Sequence, residues 1–291
     1  MLSEYSKVFI DSFTGYYNYI VSEISNPSWH NYIYWLIGIS LFFWSLEIIF
    51  PWRKKQGVFR NDFRLDAFYM FFNFFIFSLI GFYAVSNVFV TFFSDLLAHF
   101  DINNLVAVSV ASLPVTIQLL ILFFLRDFIH FNIHRLLHRS NFLWQFHKVH
   151  HSVTEMGFAA HLRYHWTENI VYRIIEYIPL GMIGFGIDDF IIVHLFALSI
   201  GHFNHSNFKL NLGPLKYFFN NPQMHLWHHA VEIPNKYGVN FGISLSLWDY
   251  LFKTDYIPVV DGNIEIGLAD NQEMPSGFIR QAFFPLTKVT T

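Results

Sequence analysis

The residues of this sequence best suited to chemistry are histidines that stand in three short groups. The first group has two histidines four positions apart in HRLLH, and the other two both spell HxxHH, in HKVHH and HLWHH. Side chains three or four positions apart share one face of a helix, so each group would present its imidazoles together. Neutral imidazole is a common ligand of zinc, copper, iron and nickel. The grouped histidines are His134, His138, His147, His150, His151, His225, His228 and His229.

This number of histidines predicts two metal ions, because a structural zinc ion takes about four protein ligands. His205, in HFNHSN, is the best candidate for a ninth ligand. Three further candidates are more readily explained as structural side chains, namely His161, His165 and His202. The histidines that stand alone are predicted not to bind metal, and they are His30, His99 and His194.

Three carboxylates near the groups are candidates to orient a ligand histidine. Asp127 stands two helical turns before His134 and either accepts a ring N–H of a ligand or pairs with Arg126 or Arg135. The same alternatives apply to Glu168 and Asp249. One turn before His134, His130 either supports a ligand or lines the path of a substrate.

The composition indicates a membrane protein, since 54% of the 291 residues are hydrophobic and only 13% are charged. A net charge of −3 argues against nucleic acid as a partner. The absence of cysteine excludes disulfides, iron–sulfur clusters, thiolate zinc sites and a cysteine nucleophile.

Three uncharged runs are long enough to span a bilayer, at 31–46, 67–93 and 102–125. The loop between the first two is basic, and the positive-inside rule therefore predicts that it is cytoplasmic. Its basic residues are Arg53, Lys54, Lys55, Arg60 and Arg64. The third run returns the chain to this side, so both loop charge and span count predict cytoplasmic histidines.

Two shorter apolar stretches follow, at 169–187 and 190–201, and the first contains Arg173 and Glu176. They predict a helical hairpin that dips into or crosses the membrane. Residues 206–291 are rich in proline and are expected to form a cap and a tail. Residues 1–29 are either an amphipathic interfacial helix or a frayed terminus.

The predicted fold is an all-α integral membrane protein with about three clear transmembrane helices, a helical hairpin and a cytoplasmic helical cap that holds a dimetal site. The chain is expected to be one domain, 1–291. Within it, 31–125 hold the membrane spans, 119–256 the histidine groups and 257–291 a C-terminal tail.

The order of HRLLH, HKVHH and HLWHH resembles the fatty acid hydroxylase/sterol desaturase superfamily of integral membrane di-iron oxygenases. The likeness extends over about 119–256. Its other motifs are Asp127 before the first group, Leu143-Trp144, Ser152 after HKVHH, HSN at 205–207, PQMH at 222–225 and LWDYLFKT at 247–254.

The resemblance implies two irons held by the eight grouped histidines and His205, with molecular oxygen as cosubstrate and zinc as an occupant in recombinant protein. It implies oxidation of an unactivated C–H bond of a membrane lipid, by hydroxylation or desaturation. The lipid is left open among fatty acyl, sterol, carotenoid and ether lipids. The chain departs from the family pattern at His130, where an aromatic residue is commoner, and at Trp166, which replaces a proline.

Electrons for such a reaction must come from a partner, because the chain carries no flavin, nicotinamide or iron–sulfur motif. A ferredoxin, a b-type cytochrome or a reductase would serve.

Two other classes of protein compete with the oxygenase. A metal transporter or metal-binding membrane protein would need ionisable residues within its spans, and a bis-histidine haem protein would place its ligands inside the membrane helices.

Overall fold

The computed structural model describes residues 2–102, 106, 108–185, 187–258, 263–269 and 274–286. The helices are α1 (Leu2–Ser25), α2 (Tyr32–Ile49), α3 (Phe63–Phe71), α4 (Ser86–Ala98), α5 (Val115–Arg139), α6 (Asn141–His151), α7 (Trp166–Gly181), α8 (Ile187–His205), α9 (Pro222–His228), α10 (Leu247–Phe252) and α11 (Phe278–Phe283). A π-helical stretch, Phe72–Val85, joins α3 to α4, and 3₁₀ turns lie at Phe158–Leu162 and Gly213–Tyr217. The described residues contain no strand, only three isolated β-bridges. The all-α prediction is therefore confirmed.

Two helices, α2 and α5, are long and apolar enough to cross a membrane. Helix α2 buries Ile33 and Phe43 against the protein, yet Leu41 and Phe42 on its other faces are more than half exposed. A helix that is apolar all round and open on one side suits contact with lipid tails. Together with the apolar composition, these helices indicate a membrane protein.

The second predicted span, 67–93, lies within the continuous helical run from α3 through the π-helical stretch to α4. The third, 102–125, differs from the structure, because helix α5 begins only at Val115. Pro114 precedes that helix as its N-cap and favours a helix start. Upstream, the Val108 N–H donates to the Met182 carbonyl at 3.1 Å and holds an irregular segment against the α7–α8 turn. The span is therefore shifted toward the histidines, which occupy its last turns.

Helices α7 and α8 form the expected hairpin, and α7 packs mainly along α5. Helix α8 packs on the 3₁₀ turn at Phe158–Leu162, on α9 and on α5. A core cluster packs α5, α7 and α8 together at the end away from the histidines. It consists of Leu122 and Phe123 from α5, Leu180 from α7, Val193 from α8, and Leu245. The turn between α7 and α8 lies at that end. The N-terminus of α7 and the C-terminus of α8 reach the histidine end of α5, where a space remains among the three helices.

The N-terminal segment forms a helix, α1, and not a frayed terminus. This helix packs on the π-helical stretch and on α4. The Tyr5 hydroxyl donates to Asp95 at 2.9 Å, and the Asn87 amide donates to the Ser12 hydroxyl at 3.0 Å.

The basic loop after α2 lies at the histidine end of the bundle. The Arg53 side chain donates to the Met156 carbonyl at 2.7 Å, and its backbone N–H donates to the Asn207 side chain at 2.8 Å. The Arg163 guanidinium donates to Asp62, at the start of α3, at 2.9 Å. These contacts place the loop and the histidine groups on one side of the molecule, as loop charge and span count predicted.

Residues after α8 form a cap of short helices and irregular loops over the histidine end. Part of the C-terminal tail returns to α3 and α7 through α11. There the Tyr69 hydroxyl donates to Gln281 at 3.0 Å, and the Trp166 indole donates to the Ala282 carbonyl at 2.9 Å. The described part of the tail is therefore anchored to the rest of the protein.

Candidate metal centre

Among the described residues, nine histidines converge on two buried clusters in which the possible ligand atoms lie within 4.8 Å of one another. The five-histidine cluster consists of His134, His138, His147, His151 and His228. The four-histidine cluster consists of His150, His205, His225 and His229. These nine are the eight grouped histidines of the sequence and His205. The arrangement offers two separate sites for metal ions.

The two HxxHH groups are divided between the clusters in opposite ways. In α6 the first and last histidines join the five-histidine cluster, and His150 joins the other. At α9 the first and last histidines join the four-histidine cluster, and His228 joins the other. Each short helix thus bridges both clusters and fixes their separation.

The starts of these two helices are fixed by side-chain caps. The Ser140 hydroxyl accepts the Leu143 N–H at the start of α6, and the Asn221 side chain accepts the Met224 N–H at 3.1 Å at the start of α9. Pro222 occupies the first position of α9, where its missing N–H is tolerated. The caps set the rotation of each helix and therefore the direction of its histidines.

At least five of the nine imidazoles are oriented by a hydrogen bond from Nδ1 to an oxygen. The acceptors of His134, His228, His205 and His150 are the backbone carbonyls of Phe241, Val239, Gly201 and Arg163, at distances of 2.8–3.1 Å. The acceptor of His147 is the Glu168 carboxylate, at 2.8 Å. Because an oxygen acceptor requires a proton on Nδ1, the Nε2 lone pair of each ring is left free for a metal.

The nitrogen atoms of both clusters fit bound metal. In the five-histidine cluster, all five Nε2 atoms are buried and lack a hydrogen-bond partner within the described chain. In the four-histidine cluster, consecutive Nε2 atoms lie 2.8–3.2 Å apart. An ion about 2.0–2.1 Å from each imidazole nitrogen would set neighbouring nitrogens about 2.9–3.4 Å apart. The five-histidine cluster thus has Nε2 atoms without a partner, and the four-histidine cluster has Nε2 atoms spaced as metal ligands are. Both features are expected of metal sites.

Burial keeps these imidazoles in the neutral form that binds metal. It lowers the pKa of His150 to about 3. Burial, reinforced by neighbouring histidines, holds the pKa of four others well below the ordinary 6.5, namely His151, His225, His228 and His229. Neutral imidazole at pH 7 is ready for a metal without loss of a proton.

Of the three carboxylates considered above, only Glu168 contacts a ligand histidine. For Asp127, the structure records neither a hydrogen bond from a histidine ring nor an ion pair with Arg126 or Arg135 among the described residues. Asp127 instead accepts the backbone N–H groups of Ser244 and Leu245 and the Trp248 indole N–H.

Asp249 also binds backbone and not histidine. Its carboxylate accepts the N–H groups of Phe241 and Gly242 and the Thr254 hydroxyl. Burial raises the pKa of Asp249 to about 6, although the three hydrogen bonds oppose the rise. Both aspartates therefore hold the loop at 241–245, which carries the carbonyl acceptor of His134.

The three further candidate ligands lie outside the clusters. The rings of His161 and His202 face each other through Nδ1 atoms 3.0 Å apart, and the other nitrogen of His202 contacts the Ser40 hydroxyl. Both nitrogens of His165 are occupied, by the Thr167 hydroxyl and the Ala282 carbonyl. These contacts give each of the three a structural explanation, and none of them belongs to either cluster.

A cavity of about 170 Å³ runs between α5, α7 and α8 and ends at the two histidine clusters. The histidines at its clustered end are His134, His147, His150, His205 and His225. The opposite end is lined by Arg126, His130, Arg173, Glu176 and His194. The sequence predicted only that His130 at this end could line the path of a substrate, and the rest of the polar end was not foreseen. The charged residues inside the first apolar stretch of the hairpin were the signal for it.

Comparison with known proteins supports the same region. Residues 119–254 match the family model described as fatty acid hydroxylase. The chain is 28% identical over 175 residues to ornithine lipid hydroxylase OlsE of Rhizobium tropici, covering 60% of this chain and 52% of that protein. It is 33% identical over 131 residues to alkylglycerol monooxygenase of Homo sapiens, covering 44% of this chain and 28% of that protein.

A third relative is the very-long-chain aldehyde decarbonylase GL1-10 of Oryza sativa subsp. japonica, 32% identical over 146 residues, covering 47% of this chain and 46% of that protein. The chain thus spans about half or less of the length of these relatives. No solved structure matches it significantly. The family match and these relatives support the fatty acid hydroxylase/sterol desaturase superfamily, which the order of the histidine groups resembles.

Proposed function

We propose that this protein is a metal-dependent membrane oxidoreductase that uses molecular oxygen to oxidise a C–H bond of a lipid. The observation that carries the proposal is the pair of buried histidine clusters that open onto a cavity among membrane helices. The names of the relatives support lipid oxidation, since they include a lipid hydroxylase and a monooxygenase. Hydroxylation is the proposed outcome, with desaturation as the alternative within the same chemistry.

The proposed cofactor is a pair of irons, one in each cluster. The donor set is entirely imidazole nitrogen, which suits a redox metal, whereas magnesium and calcium favour oxygen ligands. When bound, the irons would supply the activation of oxygen. Zinc is expected to compete for the same nitrogens in recombinant protein.

The protein's own contribution is to orient the ligands and to exclude water. Glu168 fixes the tautomer of His147, and the backbone carbonyls fix four other rings. Apolar side chains of Leu162, Ala197 and Leu198 line the cavity beside the clusters. They would hold an alkyl segment close to the metals, and this proximity selects which C–H bond reacts.

The remaining parts of the proposal concern topology and partners. The histidine end lies on the same side as the basic loop, which favours the cytoplasmic face. Electrons would come from a ferredoxin, a b-type cytochrome or a reductase. The alternative is a metal-binding or metal-transporting membrane protein without oxygenase activity. Transport through the cavity is disfavoured because Arg126 and Arg173 line it and would repel a metal cation.

The proposal is tested by metal analysis and by turnover. Protein purified in detergent after iron-supplemented growth should hold one iron per cluster, and His147→Ala should lose iron. Reduced protein given oxygen and the lipids of its host should then produce lipid that has gained one oxygen atom, as measured by mass spectrometry. Iron-loaded protein that consumes no oxygen with any lipid fraction would contradict the oxygenase assignment.

A further inference from the structure

We propose that the cavity binds an anionic lipid, and that Arg126 and Arg173 hold its carboxylate or phosphate at the end away from the histidines. The identification of this lipid as the substrate rests on the proposed function above. The anion site itself is inferred from burial, charge and geometry, and its binding can be measured without turnover.

The cavity has a polar end and a histidine end, and the lining residues of α5 and α8 run from one to the other. Helix α5 contributes Arg126, His130 and His134, at a spacing of four residues. Helix α8 contributes a run from His194 at one end to His205 at the other. Residues four apart lie on one helical face. The cavity-facing side chains of α5 and α8 therefore extend from the polar end of the cavity to a histidine cluster.

The polar end carries more positive than negative charge. The Arg173 guanidinium donates to Glu176 at 3.0 Å, and Arg126 Nε lies 3.6 Å from the same carboxylate. His130 also bonds Glu176. Of the described residues that line this end, Glu176 is the one carboxylate, and it faces two guanidinium groups. The other carboxylate of the cavity, Glu168, is bonded to His147 at the metal end.

Arg126 is the buried cation at this end of the cavity, and its contact with Glu176 is longer than a hydrogen bond. It is only 9% exposed, and its sole ion pair within the described chain is the one with Glu176. Its neighbour Asp127 is engaged by backbone N–H groups and the Trp248 indole. A buried guanidinium is costly unless its donors are matched, and its planar fork suits a carboxylate or phosphate. An anionic group in the cavity would provide that match.

The length and the volume of the cavity favour a lipid and predict which part of it is oxidised. Arg126 and His134 are eight residues apart on α5, which corresponds to about 12 Å along the helix. The cavity of about 170 Å³ is smaller than the roughly 300–1,000 Å³ of pockets that enclose whole ligands. It therefore fits a segment of a lipid. Oxidation should occur several carbons away from the anionic group and not next to it.

The test is the binding of dodecanoate, dodecyl phosphate and dodecanol to iron-loaded protein in a non-ionic detergent, measured by equilibrium dialysis of radiolabelled ligand. The wild type should bind both anions about tenfold or more tightly than the alcohol, as expected for hydrogen bonds to a charged group. Arg126→Gln should lose this preference, and Arg126→Lys should retain part of it. Arg64→Gln, at an exposed arginine outside the cavity, should behave as the wild type.

Iron content reports whether each variant remains folded. If Arg126→Gln fails to load iron, Arg173→Gln provides the test, since that side chain is 35% exposed. Equal binding of alcohol and anions by the wild type would overturn the proposal, as would an unchanged preference in iron-loaded Arg126→Gln or Arg173→Gln. Inorganic phosphate that binds as tightly as dodecyl phosphate would overturn the lipid assignment. Anion preference in a protein that oxidises no lipid would contradict only the proposed function.

Discussion

A histidine that binds a metal must leave one ring nitrogen unprotonated, and hydrogen bonds from Nδ1 to oxygen favour this tautomer in five of the clustered histidines described above. Four of the five acceptors are backbone carbonyls, which no substitution removes directly. The exception is Glu168, whose side chain accepts from His147. This residue is therefore the clearest place to test the orientation of a ligand.

Glu168→Ala should lower metal affinity about 10- to 100-fold, because the His147 ring loses the partner that fixes its tautomer. Glu168→Gln keeps an oxygen acceptor and should retain more affinity. Metal retention under increasing chelator concentration measures the effect. Glu4→Ala, at an exposed position on α1, is the control. Identical chelator sensitivity of Glu168→Ala and the wild type would contradict this role.

His202 and His205 are both buried and stand three residues apart on α8, yet only His205 belongs to a cluster. His205→Ala should therefore lose iron from the four-histidine cluster. His202→Ala should keep its iron while losing about 1–3 kcal/mol of stability, since Ser40 and His161 lose a buried partner. Iron per folded protein and the thermal midpoint separate the two effects. Loss of iron in His202→Ala would place it among the ligands.

At the scale of elements, the loop at 241–245 is the part of the cap that positions the five-histidine cluster. Asp127 of α5 and Asp249 of α10 bind its backbone N–H groups from two sides. The Phe241 carbonyl in this loop accepts from His134. The two aspartates thus act on the metal centre through the loop, without contact with a ring.

Gly242→Ala should disrupt this loop, because a Cβ at Gly242 would lie 2.3 Å from the Leu245 carbonyl oxygen and 2.8 Å from the Asp249 carboxylate. We expect a loss of roughly 1–3 kcal/mol in stability and weaker metal retention. The thermal midpoint and the iron content measure these effects. Gly38→Ala, which meets nothing within 4 Å, should be neutral or slightly stabilising. A fully stable, fully loaded Gly242→Ala would show that the loop tolerates displacement.

At the scale of the whole molecule, the histidine end gathers buried neutral imidazoles, so the metal-free protein should lose stability in mild acid. The folded pKa of His150 is about 3, against about 6.5 in the unfolded chain. Stability is therefore complete above pH 6.5 and falls as the pH drops below it, by roughly 1 kcal/mol per buried histidine at pH 5.5.

Asp249 acts in the opposite direction, since its folded pKa of about 6 lies above the unfolded value. Protonation there favours folding by less than about 1 kcal/mol between pH 7 and 5.5, so the histidines dominate. Thermal unfolding of chelator-treated protein between pH 5 and 8 checks this balance. A midpoint that rises as the pH falls below 6.5 would contradict it.

The topology is testable because the chain contains no cysteine. Lys55→Cys, in the basic loop, should react with a membrane-impermeant thiol reagent from the cytoplasmic side only. His99→Cys, after α4, should react from the opposite side. Both side chains are exposed. Sealed vesicles of defined orientation provide the measurement, and labelling of both positions from one side would contradict the proposed crossing of the membrane.

The helical character, the resemblance to the fatty acid hydroxylase family and the convergence of HRLLH, HKVHH, HLWHH and His205 could be predicted from the sequence. These features follow from short-range spacing, because residues three or four apart share a helical face whatever surrounds them. The start of α5 was harder to predict, since the uncharged run gives no signal where an irregular segment pairs with the α7–α8 turn. Hydropathy reports which residues avoid water, and not which of them are helical.

Only the tertiary structure decided how the histidines divide into five and four, and which groups orient them. His150 and His151 are adjacent in sequence but belong to different clusters. Asp127 meets the loop at 241–245 more than a hundred residues away, and Arg126 meets Glu176 across the cavity. Such partners are chosen by the packing of α5 against α7, α8 and the cap. Periodicity within one helix reveals which side chains point the same way, whereas the residues they meet depend on the path of the rest of the chain.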